Sequence, residues 1–190
     1  MSSNPIAAAL ARVRAVLQRR PSAALSEDAP AHAVWRGGTR VETAHPGGAR
    51  VATDMPTELG GSGDQVSPGW LMRAGAASCT ATAIALVAAE RGIELTHLEV
   101  DCGSRSDVRA LLGMTQPDGG TVLGGPLESW TQVRIAARGA AADTLQALVD
   151  EGYRRSPVNA ALKAALPLEL RVEIVDEARA VAPPRKQAAG

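Results

Sequence analysis

A chain of 190 residues that is 45% hydrophobic suits one domain with short extensions and excludes a wholly disordered polymer. Lys and Arg total 20 and Asp and Glu total 20, so no net field favours nucleic acid, and no nucleic-acid partner is expected. There is no Phe, so Ala, Val and Leu must do most of the packing, and two cysteines, Cys79 and Cys102, are too few for a disulfide scaffold and fit a reduced, cytoplasmic chain.

Residues 4–20 predict an amphipathic helix, opened by Asn4-Pro5 and carrying Ile6, Leu10, Val13 and Leu17 at helical spacing. Arg12 and Arg14 break the apolar run that a secretory signal needs. With Arg19 and Arg20 they read as a solvated basic face, ahead of a targeting peptide or a surface for an anionic partner. Pro21 to Pro30 reads as a linker, which gives an extension over 1–30, a domain over 31–176 and a disordered tail over 177–190. Within 31–56, HAVWR, TRVETA and ARVATDM are separated by Gly37-Gly38 and Pro46-Gly47-Gly48, the pattern of a β-meander. The glycine-rich loop that follows lacks the Lys-Ser/Thr of a phosphate-binding loop.

Residues 67–92 predict one long helix. Ser67 is a capping residue, Pro68 suits the first helical position, and Gly92 stands where a helix stops. Its apolar and small residues cover every face, the pattern of a buried helix that other layers must wrap. A membrane span is the rival, but Arg73 and the central Ser78, Thr80 and Thr82 weigh against it, so no membrane association is expected. Cys79 lies near the middle of this helix.

Leu98, Val100 and Cys102 then alternate with His97, Glu99 and Asp101, which predicts a half-buried strand over 93–103. The polar set reads as a solvated face rather than a metal site, and neither metal nor cofactor is expected. A short helix over 106–113, capped by Ser104 or Ser106, precedes a loop and a second strand over 128–137. A helix from Ala141 to Tyr153 follows, then a second restarting at Ser156-Pro157, and a last strand over 168–175. These elements describe an α+β protein.

The run DMPTELGGSGDQVSPGWLMRAGAASC, the helix end Arg91-Gly92-Ile93, the strand LTHLEVD and the later Ser156-Pro157-Val158 resemble the OsmC/Ohr family of osmotically induced and organic-hydroperoxide-resistance proteins. The resemblance implies an intertwined homodimer, with antiparallel sheets wrapped around two long central helices and active sites at the subunit interface. It further implies peroxiredoxin activity in the oxidative stress response: Cys79 attacks the peroxide, and an arginine of the opening strands, Arg40 or else Arg36, holds the thiolate. Two positions depart from the family pattern. Gly69 stands where a glutamate follows the helix-leading proline, and Ser156 stands where a second cysteine resolves the sulfenic acid.

A thiol must ionise to attack, and one buried among alanines needs a nearby cation to do so, which makes the arginine necessary. Without a resolving thiol, turnover needs an external dithiol. Cys102 is a poor substitute. About 20 Å of helix and about 23 Å of returning strand bring the two cysteines to similar heights, but a sheet packed on a helix stands farther off than the ~7 Å a disulfide spans. The chain is thus expected to be a single-cysteine hydroperoxide reductase. The alternatives are a non-catalytic protein of this fold that binds an apolar ligand at the dimer interface, or a Cys79 that only packs.

Overall fold

The computed structural model describes residues 5–164 and 168–174. Its first sheet turns where glycines permit it. Strand β1 (His32–Gly37) pairs antiparallel with β2 (Arg40–Ala44), and Gly37 and Gly38 hold φ values of 104° and 56° at the turn. An L side chain is strained there. Strand β3 (Arg50–Thr53) pairs with the other side of β2, after a turn in which Gly48 has φ 94°. Glu42 of β2 accepts from Arg36 at 2.9 Å and from Arg50 at 2.6 Å, tying the three strands across one face.

Before this sheet, α1 (Pro5–Arg19) lies against the long helix α2 (Pro68–Glu90), and Arg14 reaches Glu90 at 2.6 Å. Both ends of α2 are built as the sequence predicts. Ser67 Oγ accepts from the Trp70 N–H at 3.2 Å. At the other end Gly92, with φ 67°, donates to the Ala89 carbonyl, and Ile93 donates to the Ala88 carbonyl at 2.9 Å. That crossed pair of bonds satisfies carbonyls the helix itself leaves open.

Strand β4 (Leu95–Ser106) returns along α2 and pairs antiparallel with β5 (Pro126–Ala137), joining Leu98 to Ile135, Val100 to Val133 and Cys102 to Thr131. Helix α4 (Ala142–Arg155) packs on the same side of α2, and α5 (Pro157–Lys163) follows it. The core is aliphatic: Ile84, Val87, Ala88 and Leu148 are buried, with Leu98, Val133, Ile135, Leu145 and Val149 packed around them. By length and composition α2 is long and apolar enough to cross a membrane, but these contacts make it the core helix of the α+β domain.

Two expectations need correction. The short helix, α3 (Val108–Leu111), is capped by Asp107, whose Oδ1 accepts from the Arg109 N–H. Ser104 and Ser106 instead belong to β4, because β5 begins at Pro126 and the pairing runs on to Ser106. Residues 168–174 form no strand, and Leu168, Leu170, Val172 and Ile174 are 74–95% exposed. An alternating sequence supplies the faces of a strand, but the backbone still needs a neighbouring strand to bond to. Val175 and the expected tail lie outside the described residues. Within one protomer α2 is wrapped on one side: Ala76, Thr80, Ala83 and Ile84 are buried, whereas Gly75, Ser78 and Thr82 are exposed.

Candidate active site

Helical spacing puts Ser78, Cys79, Thr82 and Leu86 on the side of α2 that the core does not use. They form one wall of a mostly apolar cavity of about 610 Å³, and Arg155 and Pro157 form part of the other. Cys79 is half-buried and its thiol is free, so the cavity reaches the sulfur from outside.

A buried polar network fixes this geometry from behind. Thr80, next to Cys79, donates from Oγ1 to the Ala76 carbonyl at 2.7 Å and accepts from Asn159 Nδ2 at 2.8 Å. Ser156 Oγ in turn accepts from the Asn159 N–H at 3.4 Å, capping α5. Thr80, Ser156 and Asn159 are all buried. Among the described residues no buried side-chain N or O lacks a hydrogen-bond partner. A fully bonded buried network of this kind specifies one arrangement, since breaking any member strands another in low dielectric. It pins α5 to α2 and holds Pro157 at the rim of the Cys79 cavity.

The cations are placed less simply. Arg155 lines the cavity but donates to Glu90 at 2.8 Å and also pairs with Glu151. The bond to Glu90 raises the Arg155 pKa and holds the Glu90 carboxyl below the usual carboxylate range. Arg40 is committed elsewhere, to Asp54 at 3.0 Å, to Ser62 Oγ at 2.6 Å and to Asp64. Asp54 accepts from the Ser62 and Thr39 hydroxyls, the Met55 N–H and Arg40, in that order of effect, and its carboxyl is driven far below its ordinary pKa. This knot ties the loop before α2 to the start of β2. Arg36 pairs with Glu42 at the surface. Neither Arg36 nor Arg40 lines the Cys79 cavity within one protomer.

Cys102 is free as well and does not line the Cys79 cavity. Its Sγ lies 3.4 Å from Thr131 Oγ1, and it lines a separate cavity between the first turns of α2, the β4–β5 sheet and α5. His97, Glu99 and Asp101 share the outer face of β4, where Arg134 bridges Glu99 at 2.7 Å and Asp101 at 3.1 Å.

The profile of the OsmC-like proteins matches residues 61–171, which span α2, its cysteine, both later strands and the capped α5. The chain belongs to the OsmC-like family. Solved structures share its fold. An OsmC-like protein from Mycoplasma pneumoniae is 15% identical with a TM-score of 0.61, covering 74% of this chain and 91% of its own. An organic hydroperoxide resistance protein from Legionella pneumophila is 22% identical with a TM-score of 0.53, covering 73% and 91%. An OsmC-like protein of unknown function from Vibrio cholerae is 11% identical with a TM-score of 0.57, covering 72% and 94%. No curated protein sequence matches the chain.

Within the OsmC-like fold, the sequence reading missed Arg155, the Thr80–Asn159 bond and the Asp54 knot. Arg155 carried a local signal, because Glu151 lies four residues before it on a helix and Ser156-Pro157 ends that helix. The other two join residues far apart in the chain, and nothing local announces them.

Proposed function

We propose that the protein is a thiol-dependent peroxidase that reduces organic hydroperoxides through Cys79. A free, half-buried thiol on the wall of a mostly apolar cavity carries this reading, in a chain of the OsmC-like family. The Legionella pneumophila protein of the same fold, named for organic hydroperoxide resistance, is in keeping with it.

The Cys79 thiolate attacks one peroxide oxygen, the O–O bond breaks, and the alkoxide leaves as an alcohol once it takes up a proton. Cys79 is left as a sulfenic acid. Ser156 stands at the family's second-cysteine position and forms no disulfide, so an external dithiol condenses with the sulfenic acid and releases water. Its second thiol then displaces Cys79 as a free thiol. The apolar walls favour the organic part of the peroxide, and Arg155 is the cation nearest to hand along the same cavity. We place this chemistry in a cytoplasmic homodimer, in which the open side of α2 meets a second copy and Arg40 holds the loop that leads into α2.

The test is consumption of cumene hydroperoxide with dithiothreitol as reductant. The wild type turns over, and Cys79→Ser falls to the buffer rate. Without thiol, excess peroxide adds two oxygens to the Cys79 peptide and leaves no disulfide. A second reading, a binding protein for an apolar ligand, is favoured by the neutralisation of Arg40 between two carboxylates and by Gly69. Equal consumption by wild type and Cys79→Ser overturns the peroxidase reading, and saturable binding of an apolar ligand that Leu86→Asp abolishes would then support this one.

A further inference from the structure

The second cavity, on the Cys102 side, has a chemistry of its own. It encloses about 350 Å³ between α2, β4, β5 and α5, within the range of small-molecule sites. Met72, Trp130 and Leu162 give it an apolar body, and Arg73 and Lys163 bring two positive charges to it. The Trp130 indole lies over Gly103, where a Cβ would come within 2.1 Å of the ring. The missing side chain is what lets this wall form.

Most arginines of the described chain, from Arg14 to Arg171, hold a carboxylate. Arg73 and Lys163 do not, among the described residues. Arg73 is half-buried, and its one hydrogen bond goes to a neutral partner, Ser104 Oγ, at 3.3 Å, which leaves most of its five N–H donors to other acceptors. Lys163 sits 4.3 Å from the centre of the Tyr153 ring. Glu169, the next acid along the chain, pairs with Arg171 instead. Arg73 is half-buried and Lys163 exposed on the same cavity, and with no carboxylate of the described residues paired to either, an anion there would be drawn to both.

We propose that this cavity binds a small organic carboxylate with an aliphatic body, its head between Arg73 and Lys163 and its chain against Met72, Trp130 and Leu162. The site is distinct from the Cys79 cavity and does not rest on the peroxidase reading. The buried Thr80–Asn159 bond lies between the two, since Asn159 lines the carboxylate cavity while Pro157 lines the other.

The experiment uses the intact protein with octanoate as probe, octan-1-ol and octylammonium as controls, and two readouts. Calorimetry gives affinity, and N-ethylmaleimide labelling followed by mass spectrometry gives the rate at each cysteine. Octanoate is expected to bind, with octanol about tenfold weaker or more and octylammonium not binding, because charge-assisted hydrogen bonds are lost. Arg73→Met should weaken octanoate by about tenfold or more, with Arg73→Lys partly restoring it, and Lys163→Gln by a few fold. Bound octanoate should slow labelling of Cys102 and leave Cys79 unchanged. Equal affinity for octanol and octanoate overturns the proposal, as does an unchanged Arg73→Met, protection of Cys79 instead of Cys102, or no binding at all. The last result would also arise if a second copy of the chain fills the cavity, and it counts equally against the proposal.

Discussion

The two sides of α2 have opposite fates. On one, Ile84, Val87 and Ala88 are buried against Leu148 and the β4–β5 sheet, and helix α4 comes so close at Gly152 that a Cβ there would lie 2.5 Å from the Ile84 side chain and 2.7 Å from its Cα. On the other, Gly75, Ser78 and Thr82 are exposed and Cys79 faces a cavity. One helix therefore serves as a structural axis and as the floor of a site. Ile84 and Val87, with the small Ala76, Thr80, Ala83 and Ala88, pack against the core, and Gly75, Ser78, Cys79, Thr82 and Leu86 line the side left open.

Substitutions should separate the two sides by magnitude. Ile84→Ala or Leu148→Ala opens a hole in a core with no Phe to slump into it and should cost about 2–5 kcal/mol in denaturant unfolding. Gly152→Ala forces α4 off backbone atoms of α2 and should cost about 1–3 kcal/mol by the same measurement. Thr82→Ala, exposed in the protomer, should cost less than either, within about 0.5 kcal/mol unless a second copy packs on it. If Thr82→Ala proves as damaging as Gly152→Ala, the open side is a packed interface and the contrast fails for the assembled protein. Sedimentation sharpens that point. A homodimer meeting along this side should gain stability with protein concentration, and a folded monomer at nanomolar concentration would speak against it.

Acid offers a comparison of another kind, between the core and the polar knot at Asp54. Its carboxyl is depressed in the folded chain, so the stabilisation it contributes is fully present above its unfolded value, near the ordinary carboxylate range, and is lost as pH falls below that range. Thermal melts should be flat from neutral pH down to about pH 5 and fall steeply below about pH 4. Asp54→Asn should start lower at neutral pH and show a shallower fall. An equally steep fall in the variant would assign the acid sensitivity to other carboxylates, such as Glu90.

How much of this the sequence held depended on whether the signal was local. Ser67-Pro68 and Gly92 mark α2 because capping satisfies backbone groups within four residues, and Gly37-Gly38 marks a hairpin because the turn needs positive φ there. Cys79 was legible for the same reason, as a thiol in the middle of a helix with both ends marked. The strands that carry Leu98 and Ile135 followed from alternation, although their pairing did not. The last strand was misread because LELRVEI states which faces it has, not what it pairs with. Asp107 was missed as a cap because β4 outran the apolar pattern that suggested its end. Arg40 was expected beside Cys79, yet its partners Asp54 and Asp64 come from the segment before α2, whose path no periodicity reveals.

The aliphatic core has an optical consequence. Trp35, Trp70 and Trp130 are all exposed in the protomer, so its native emission should already be shifted to the red, and unfolding should move it little. Fluorescence of this protein is a surface signal: Trp70, at the start of α2, should respond to whatever meets that end of the helix, and Trp130 to an occupant of the carboxylate cavity. Loss of the core is better followed by circular dichroism of the helices, since no indole lies among the residues that define it.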